Sequence, residues 1–254
     1  MSDFKTLDSR LIESFLEYYG KSIKAASEHP NYELNQSNFH RLSKEEKEAR
    51  RVFSYMNKVY GLISDLEKTH TFIRRFPIKE YYNKNNINQL DFIKYHYEVF
   101  IHKVHTLLEV KKLWLNDFYE IGLKEKDCNW NNLKGYQKIQ KSPTKIIVES
   151  YFNSFEHIIE FRHLNTHRAL FIDPKNENLN SYLSVYEGLK KYGIEPGDDL
   201  KRTIPKFVVE YSIKEYRKEK LEHVKKGIKV AKLYSERFIT IILKEFFKKN
   251  NIKP

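Results

Sequence analysis

The amino-acid sequence predicts an all-α protein, a helical bundle of about six or seven helices. Apolar residues recur three and four positions apart along several long segments, which is the spacing of one helix face. The 254 residues include only eight Gly and seven Pro, too few for a fold with many tight turns. No segment alternates apolar and polar residues as a strand does, and no internal repeat or Gly-rich phosphate-binding loop is present. Long helices joined by few loops are therefore expected.

Two helices are expected in the first third of the chain. The first covers residues 9–28 and ends before Pro30, which breaks the helical pattern. The second begins at Ser43, because Ser with Glu46 three positions later is the signature of a capping box. Its apolar spacing continues to Pro77.

The third helix, over residues 88–122, has the most regular apolar spacing in the chain. Its broad apolar side consists of Ile93, Tyr97, Phe100, Val104, Leu107, Leu108, Leu115 and Phe118. Gly122 is the expected end, since glycine tolerates the left-handed conformation that closes many helices. Residues 123–142 are polar and are expected to form a loop that Trp130 anchors.

Three further helices are expected in the second half. Ser142 followed by Pro143 is typical of an N-cap and a first helical position. After an Asn-rich loop that follows Asp173, the apolar spacing predicts a short helix over 179–192. A last long helix covers residues 205–249.

The net charge of +12 is concentrated near the C-terminal end. Residues 201–254 hold sixteen Lys or Arg against six Asp or Glu, whereas residues 1–200 hold thirty against twenty-eight. A concentrated basic region favours a polyanionic partner, with nucleic acid first and an acidic membrane surface second. Lysines that only solvate a long helix give the same composition, so charge alone leaves the function open.

Cysteine content and hydropathy indicate the compartment. Cys128 is the single cysteine, so it cannot form an internal disulfide, and with no histidine near it in sequence it is not expected to act as a nucleophile. The opening segment MSDFKTLDSR lacks the apolar core of a secretion signal. No stretch approaches the ~20 uncharged apolar residues that cross a bilayer. We therefore predict a soluble cytoplasmic protein with no membrane insertion.

The segment EFRHLNTHRALF, residues 160–171, places polar side chains at the end of an apolar helical pattern. Arg162 and His167 are five positions apart, so on a continuous helix their side chains would point about 140° apart. Their convergence on one small group therefore needs a helix break between them or a second chain. Asn165 and Thr166 favour such a break, since both prefer helix caps to helix interiors.

An arginine, a polar residue, three further positions and a histidine at the end of an apolar helix resemble the R-x(4–6)-H signature of the HEPN superfamily. The signature here reads Arg162-His163-Leu164-Asn165-Thr166-His167, with a four-residue spacer. The resemblance implies an all-α core, here within about residues 88–245, and a homodimer in which two copies of the motif face each other. Many HEPN proteins are metal-independent endoribonucleases of toxin–antitoxin, abortive-infection and CRISPR defence systems. Others are inactive RNA binders or scaffolds.

The residue types suit RNA cleavage without a metal or cofactor. A histidine titrates near neutral pH, so His167 is the expected general acid or base. Arg162 offers a permanent charge and forked donors to phosphate oxygens. His163 or Asn165 is expected to orient either residue or to hold the scissile phosphate. DNA lacks the 2′-OH and should not be cut by this route.

A purely structural interpretation of the same segment remains open. Arg162 would then pair with Glu156 or Glu160 and close the helix, and His163 would cap the last carbonyl groups. Non-catalytic binding of RNA or protein is the third alternative.

Two other patterns compete with this motif. Glu98, His102, His105 and Glu109 fall within about 60° of arc on the predicted helix 88–122, a spacing that suits a divalent transition metal but equally a solvated face. The C-terminal segment is a basic amphipathic helix that suits RNA backbone, an acidic antitoxin or anionic lipid. Its aromatic residues are expected to lie in the core rather than to stack on bases: Tyr211, Tyr216, Tyr234 and Phe238.

We expect a single HEPN-like helical domain over residues 1–254. It would comprise an N-terminal helix and loop (1–42), an HEPN-like core (88–245) and a basic C-terminal helix (201–254). The expected function is a metal-independent endoribonuclease, a toxin or a defence or stress effector. The alternative is a catalytically inactive HEPN-like module that binds RNA, nucleotide or a partner protein.

Overall fold

The structure, a computed structural model, describes residues 9–30, 32–33, 38, 42–77, 80–159 and 173–253. The described residues contain ten α-helices whose two ends are both defined, a further helical stretch at 156–159, and no strand, so the all-α prediction is confirmed. The helices are α1 (Ser9–Ser27), α2 (Lys44–Arg74), α3 (Glu80–Lys84), α4 (Gln89–Phe118), α5 (Trp130–Leu133), α6 (Gln137–Gln140), α7 (Thr144–Ser154), α8 (Pro174–Lys191), α9 (Asp198–Thr203) and α10 (Lys206–Lys249). None of them is both long enough and apolar enough to cross a membrane.

The chain divides into two compact units, each assembled from separate segments. Unit 1 contains Met1–Ile63, Thr106–Glu156 and Val230–Pro254, and unit 2 contains Ser64–His105 and His157–Lys229. Helices α2, α4 and α10 contribute to both units. The expectation of a single domain stays a prediction.

The core of unit 1 is rich in aromatic rings. Phe15 of α1 meets Phe246 of α10 edge-to-face, with ring centroids 5.5 Å apart. Trp114 of α4 contacts Phe238 of α10 in the same manner at 5.4 Å. Each edge-to-face pair stabilises the folded state beyond the burial of the two rings. The abundance of Phe and Tyr in the sequence thus supplies the apolar volume of this core.

The core of unit 2 is formed mainly by aliphatic side chains from the second part of α2, the first part of α4, α8 and the first part of α10. Its most buried members include Leu66, Ile73, Leu90, Ile93, Val104, Ile213 and Val224. These residues follow helical spacing on each element, as the sequence predicted for α2 and α4.

The predicted start of α2 is confirmed in detail. The Ser43 amide donates to a carboxylate oxygen of Glu46 at 2.8 Å, and the Glu46 amide donates to the Ser43 hydroxyl at 3.1 Å. This reciprocal pair satisfies two amide groups that the first turn of the helix leaves without carbonyl partners.

The end of α4 and the segment after it differ from the prediction. The helix ends at Phe118 rather than at Gly122, because the chain turns into the left-handed region at Glu120 (φ 53°). The Ile121 amide donates back to the Asn116 carbonyl at 2.9 Å, which closes the helix in a Schellman-type bond. The predicted loop 123–142 contains α5 and α6, and its buried residues are Cys128, Leu133, Ile139 and Ser142, whereas Trp130 is only half-buried.

The start of α8 is a second correction. The sequence suggested an Asn-rich loop before a helix at 179–192, but the helix begins at Pro174. Asp173 is its N-cap, since its carboxylate accepts from the Asn176 amide at 3.2 Å. Aspartate at the N-cap followed by proline at the first helical position is a strong helix start, and it outweighs the low helix propensity of the asparagines.

Candidate functional site

The predicted catalytic residues Arg162, His163, Asn165 and His167 lie in residues 160–172, outside the part of the chain that the structure describes. The residues before them, Ile158 and Ile159, are helical and buried. The residue directly after the segment is Asp173, six positions beyond His167. The catalytic assignment therefore stays a prediction, and the described structure that adjoins the motif begins at Asp173.

Asp173 is the centre of a group of polar side chains in unit 2, which we call the Asp173 cluster: Tyr97, Asp173, Tyr216, Lys220 and His223. Its Oδ2 atom accepts from the Tyr216 hydroxyl at 2.9 Å and pairs with Lys220 Nζ at 2.8 Å. The side chains of Lys220 and Asp173 are only 13% and 11% exposed. Burial alone would raise the pKa of Asp173, but the Lys220 ammonium and the Tyr216 hydroxyl outweigh it and lower that pKa.

Aromatic rings surround the Lys220 ammonium. Its Nζ lies 4.5 Å from the ring centroid of Tyr97 and 5.1 Å from that of Tyr216. Both rings are buried, and burial followed by the Asp173 carboxylate raises the pKa of each hydroxyl. The tyrosines are therefore protonated at neutral pH, and their faces stabilise the cation.

His223 completes the cluster through a short hydrogen bond between its Nδ1 atom and the Tyr97 hydroxyl. Desolvation, followed by the Lys220 charge, lowers the pKa of His223, so the imidazole is neutral at pH 7. The cluster joins α4, α10 and the N-terminus of α8, and it holds Asp173, the first described residue after the motif. The cluster has a structural role as an anchor, because the Asp173 carboxylate and the Lys220 ammonium are already paired with each other.

The competing stripe on α4 gains no support as a metal site. In the described ranges no group of three or more His, Cys, Asp or Glu is arranged to hold a metal ion. Glu109 forms an ion pair with Lys112 at 2.7 Å, and His105 is buried rather than solvated. Glu98 and His102 lie on the same face, and burial raises the pKa of Glu98 while Lys94 and His102 oppose that shift.

Sequence reasoning missed Lys111, which lies in the core of unit 1. Its side chain is fully buried, and its Nζ finds no hydrogen-bond partner in the described structure. The Nζ lies 3.7 Å from the ring centroid of Tyr151. Desolvation lowers the pKa of Lys111 to about 7. The sequence does indicate this burial, because position 111 lies four residues from Leu107 and from Leu115 and thus on the apolar side of the helix.

The basic C-terminal helix contributes to a cleft in unit 1, which we call the basic cleft. The cleft has a volume of about 710 Å³, and its lysines are Lys138, Lys141, Lys244, Lys248 and Lys249. Glu245 lies in it as the acceptor of hydrogen bonds from the hydroxyls of Tyr119 (2.5 Å) and Ser142 (2.7 Å). Glu120 also lines the cleft and pairs with Lys249 at 3.5 Å, but five lysines against two glutamates leave this surface positive, the sign that phosphate groups require.

The aromatic residues of α10 only partly follow the prediction. Tyr216 and Phe238 are fully buried, Tyr234 is half-buried, and Tyr211 is 63% exposed. Cys128 is buried, and burial raises the pKa of its thiol, which disfavours the thiolate that a nucleophile needs.

Compared with protein-family models, with curated proteins and with solved structures, the chain matches none of them. The HEPN resemblance therefore depends on the R-x(4)-H motif and on the all-α fold.

Proposed function

We propose that this protein is a metal-independent endoribonuclease of the HEPN type that acts as a homodimer. The observation that carries the proposal is the motif from Arg162 to His167, which ends six residues before the buried Asp173 cluster of unit 2. Asp173 itself is held by Lys220 and Tyr216, so the described chain next to the motif has a fixed position in unit 2.

In this mechanism His167 takes the proton from the ribose 2′-OH or gives one to the leaving 5′-oxygen. Arg162 binds the non-bridging phosphate oxygens and stabilises the charge that builds up on the phosphorane. His163 and Asn165 orient these groups or hold the scissile phosphate. The basic cleft supports the choice of RNA as substrate, because its lysines suit a polyanion.

RNA cleavage in EDTA tests the catalytic proposal. Purified protein should cut RNA into fragments with 2′,3′-cyclic phosphate ends, and Arg162→Ala and His167→Ala should each slow cleavage by at least about 100-fold. His157→Ala is the matched control, since this exposed histidine lies outside the motif and its loss should leave the rate unchanged. A DNA strand of the same sequence should stay intact.

Two results would contradict this proposal in different ways. Cleavage that persists in both motif variants would move the catalytic groups elsewhere in the chain. RNA that stays intact with every protein would favour the alternative, a catalytically inactive HEPN-like module that binds RNA, nucleotide or a partner protein. The exposed lysines favour that alternative as well, because binding a polyanion needs no catalytic group.

The homodimer is tested by the mass of the protein in solution. On a continuous helix with 3.6 residues per turn, the side chains of Arg162 and His167 would point about 140° apart. In a homodimer, two copies of the motif that face each other would bring these two residue types together. Light scattering after gel filtration should give twice the mass of one chain. A monomer at the concentration at which cleavage is measured would contradict the dimeric site.

The biological setting proposed is that of a toxin or of a defence or stress effector. A ribonuclease of this kind needs restraint, and an acidic antitoxin protein would suit the net charge of +12. Co-purification of a small acidic protein expressed from an adjacent gene would support this role. Full activity in the presence of that protein would contradict it.

A further inference from the structure

Unit 2 contains a pocket whose walls are mostly aromatic. It lies where the end of α2 meets α3 and the start of α4, and it has a volume of about 660 Å³. We call it the aromatic pocket and define it by Phe72, Arg75, Phe76, Tyr82, Phe92 and His96. This volume is within the range of small-molecule sites, roughly 300–1,000 Å³.

The rings that line the pocket contact one another. Phe76 and Tyr82 each meet Phe92 edge-to-face, with centroid distances of 5.4 Å and 6.0 Å. His96 lies nearly parallel to Phe72, with centroids 4.7 Å apart and planes inclined by 28°. The rings therefore hold each other in place before any ligand arrives, which lowers the entropic cost of binding.

Aromatic surface around this pocket is also exposed. Phe72 is 46% exposed, and the neighbouring Tyr81 and Tyr95 are 67% and 63% exposed. Tyr81 contacts Tyr82 and Tyr95 contacts His96, so these exposed rings are direct neighbours of two residues that line the pocket. Single exposed aromatic rings are common, but a contiguous group beside a pocket indicates a binding surface.

The charges at the pocket favour an anionic ligand. Among its lining residues in the described structure, Arg75 is cationic and none is a carboxylate. Residues 72–96 carry five Lys or Arg against two Asp or Glu. Burial lowers the pKa of His96, so the imidazole is neutral at pH 7 and offers one donor and one acceptor to a polar ligand edge.

We propose that the aromatic pocket binds an unstacked base of single-stranded RNA, with the exposed part of the Phe72 ring as the stacking surface, His96 stacked behind that ring, and Arg75 near the adjoining phosphate. Flat faces for a base and a cation for its phosphate are the two features that single-strand binding sites combine. The choice of RNA as the ligand rests on the proposed endoribonuclease function. The pocket adds to that function a site that selects unpaired nucleotides.

Binding of a short, fluorescein-labelled 2′-O-methyl RNA tests the proposal. This probe keeps the bases and phosphates of RNA but has no free 2′-OH, so binding is read independently of cleavage. Fluorescence anisotropy with the full chain should show affinity that falls about 10- to 100-fold in Phe72→Ala, the effect of removing one base–aromatic stack. Arg75→Gln should weaken binding and flatten its salt dependence.

A control variant and a second pocket variant complete the test. Tyr192→Ala removes a 75% exposed tyrosine of the same unit that does not line the pocket, and it should bind as the wild type does. His96→Ala is a second pocket variant, and circular dichroism verifies that each variant keeps its helix content. Wild-type protein that does not bind the probe, or folded Phe72→Ala and His96→Ala that bind it normally, would overturn the proposal.

The experiment separates this proposal from the catalytic one. Pocket-dependent binding by a protein that cuts no RNA would leave the base-binding pocket standing and remove the endoribonuclease. Cleavage of RNA by a protein whose pocket variants bind the probe normally would do the opposite.

Discussion

Replacement of Lys111 by methionine is expected to stabilise the protein by about 2–4 kcal/mol at pH 7. The Lys111 side chain is fully buried and its Nζ has no hydrogen-bond partner in the described structure, so folding removes a cation from water without a compensating bond. Methionine has nearly the same length and keeps the contacts of the apolar stem. The ring of Tyr151 stabilises the buried Lys111 cation by up to about 2 kcal/mol. The stability gained by Lys111→Met is therefore smaller than the full free-energy cost of removing the ammonium from water.

The pH dependence of this effect has a definite sign. Above the ordinary pKa of 10.5 the amine is neutral in both the folded and the unfolded chain, and its burial costs no charge. Below the folded-state pKa of about 7 the amine is charged in both, and folding carries the whole penalty. Between these values the unfolded chain binds the extra proton, so the free energy of unfolding of the wild type rises with pH by about 1.4 kcal/mol per unit.

Urea denaturation at pH 7 and pH 9 measures this directly. The stability advantage of Lys111→Met should shrink by about 2 kcal/mol over that interval, because the folded-state amine is already half deprotonated at pH 7. Lys21→Met is the matched control, since Lys21 is exposed on α1 and its loss should change stability by less than about 0.5 kcal/mol at either pH. An advantage that stays constant with pH would mean that Lys111 is charged and paired in the folded protein.

Local signals in the sequence were sufficient for most helix starts but not for every end. The capping box of Ser43 and Glu46 lies within four residues, so the sequence alone predicts it and the structure confirms it. The start of α8 has an equally local signal in Asp173 and Pro174, yet the asparagines after it suggested a loop. Their low helix propensity is offset by tertiary contacts, such as the hydrogen bond that Nδ2 of the Asn176 side chain donates to the Leu90 carbonyl at 3.4 Å.

The polar sites of the fold depend on contacts between distant parts of the chain. Tyr216 and Asp173 are 43 residues apart, and Tyr97 and His223 are 126 residues apart. No regular spacing in the sequence predicts contacts over such separations. Lys111 has a local signal, because it interrupts an apolar stripe, but its burial depends on Tyr151 of another helix. The predicted motif from Arg162 to His167 lies outside the described residues and stays a prediction.

Replacement of Asp173 by alanine is expected to destabilise the protein by about 3–5 kcal/mol. The substitution leaves the Lys220 ammonium, 13% exposed, without its carboxylate and removes the N-cap of α8. Glu219→Ala is the matched control, because Glu219 pairs with Lys175 at 2.5 Å but both side chains are about half exposed (53% and 52%). Its loss should cost less than about 1 kcal/mol, since solvent screens an exposed pair.

A double variant separates the ion pair from the helix cap. Asp173→Ala combined with Lys220→Met removes both charges, so it should be more stable than Asp173→Ala alone and retain mainly the loss of the cap and of the Tyr216 hydrogen bond, about 2 kcal/mol. Because the folded-state pKa of Asp173 is lowered, its contribution is present above the ordinary value of 3.8 and is lost as the pH falls through the lower folded value. Urea denaturation at pH 7 and pH 3 measures both effects. Equal costs for Asp173→Ala and Glu219→Ala at pH 7 would mean that solvent reaches the Asp173 cluster and screens its ion pair, so that the pair would not be a buried anchor of unit 2.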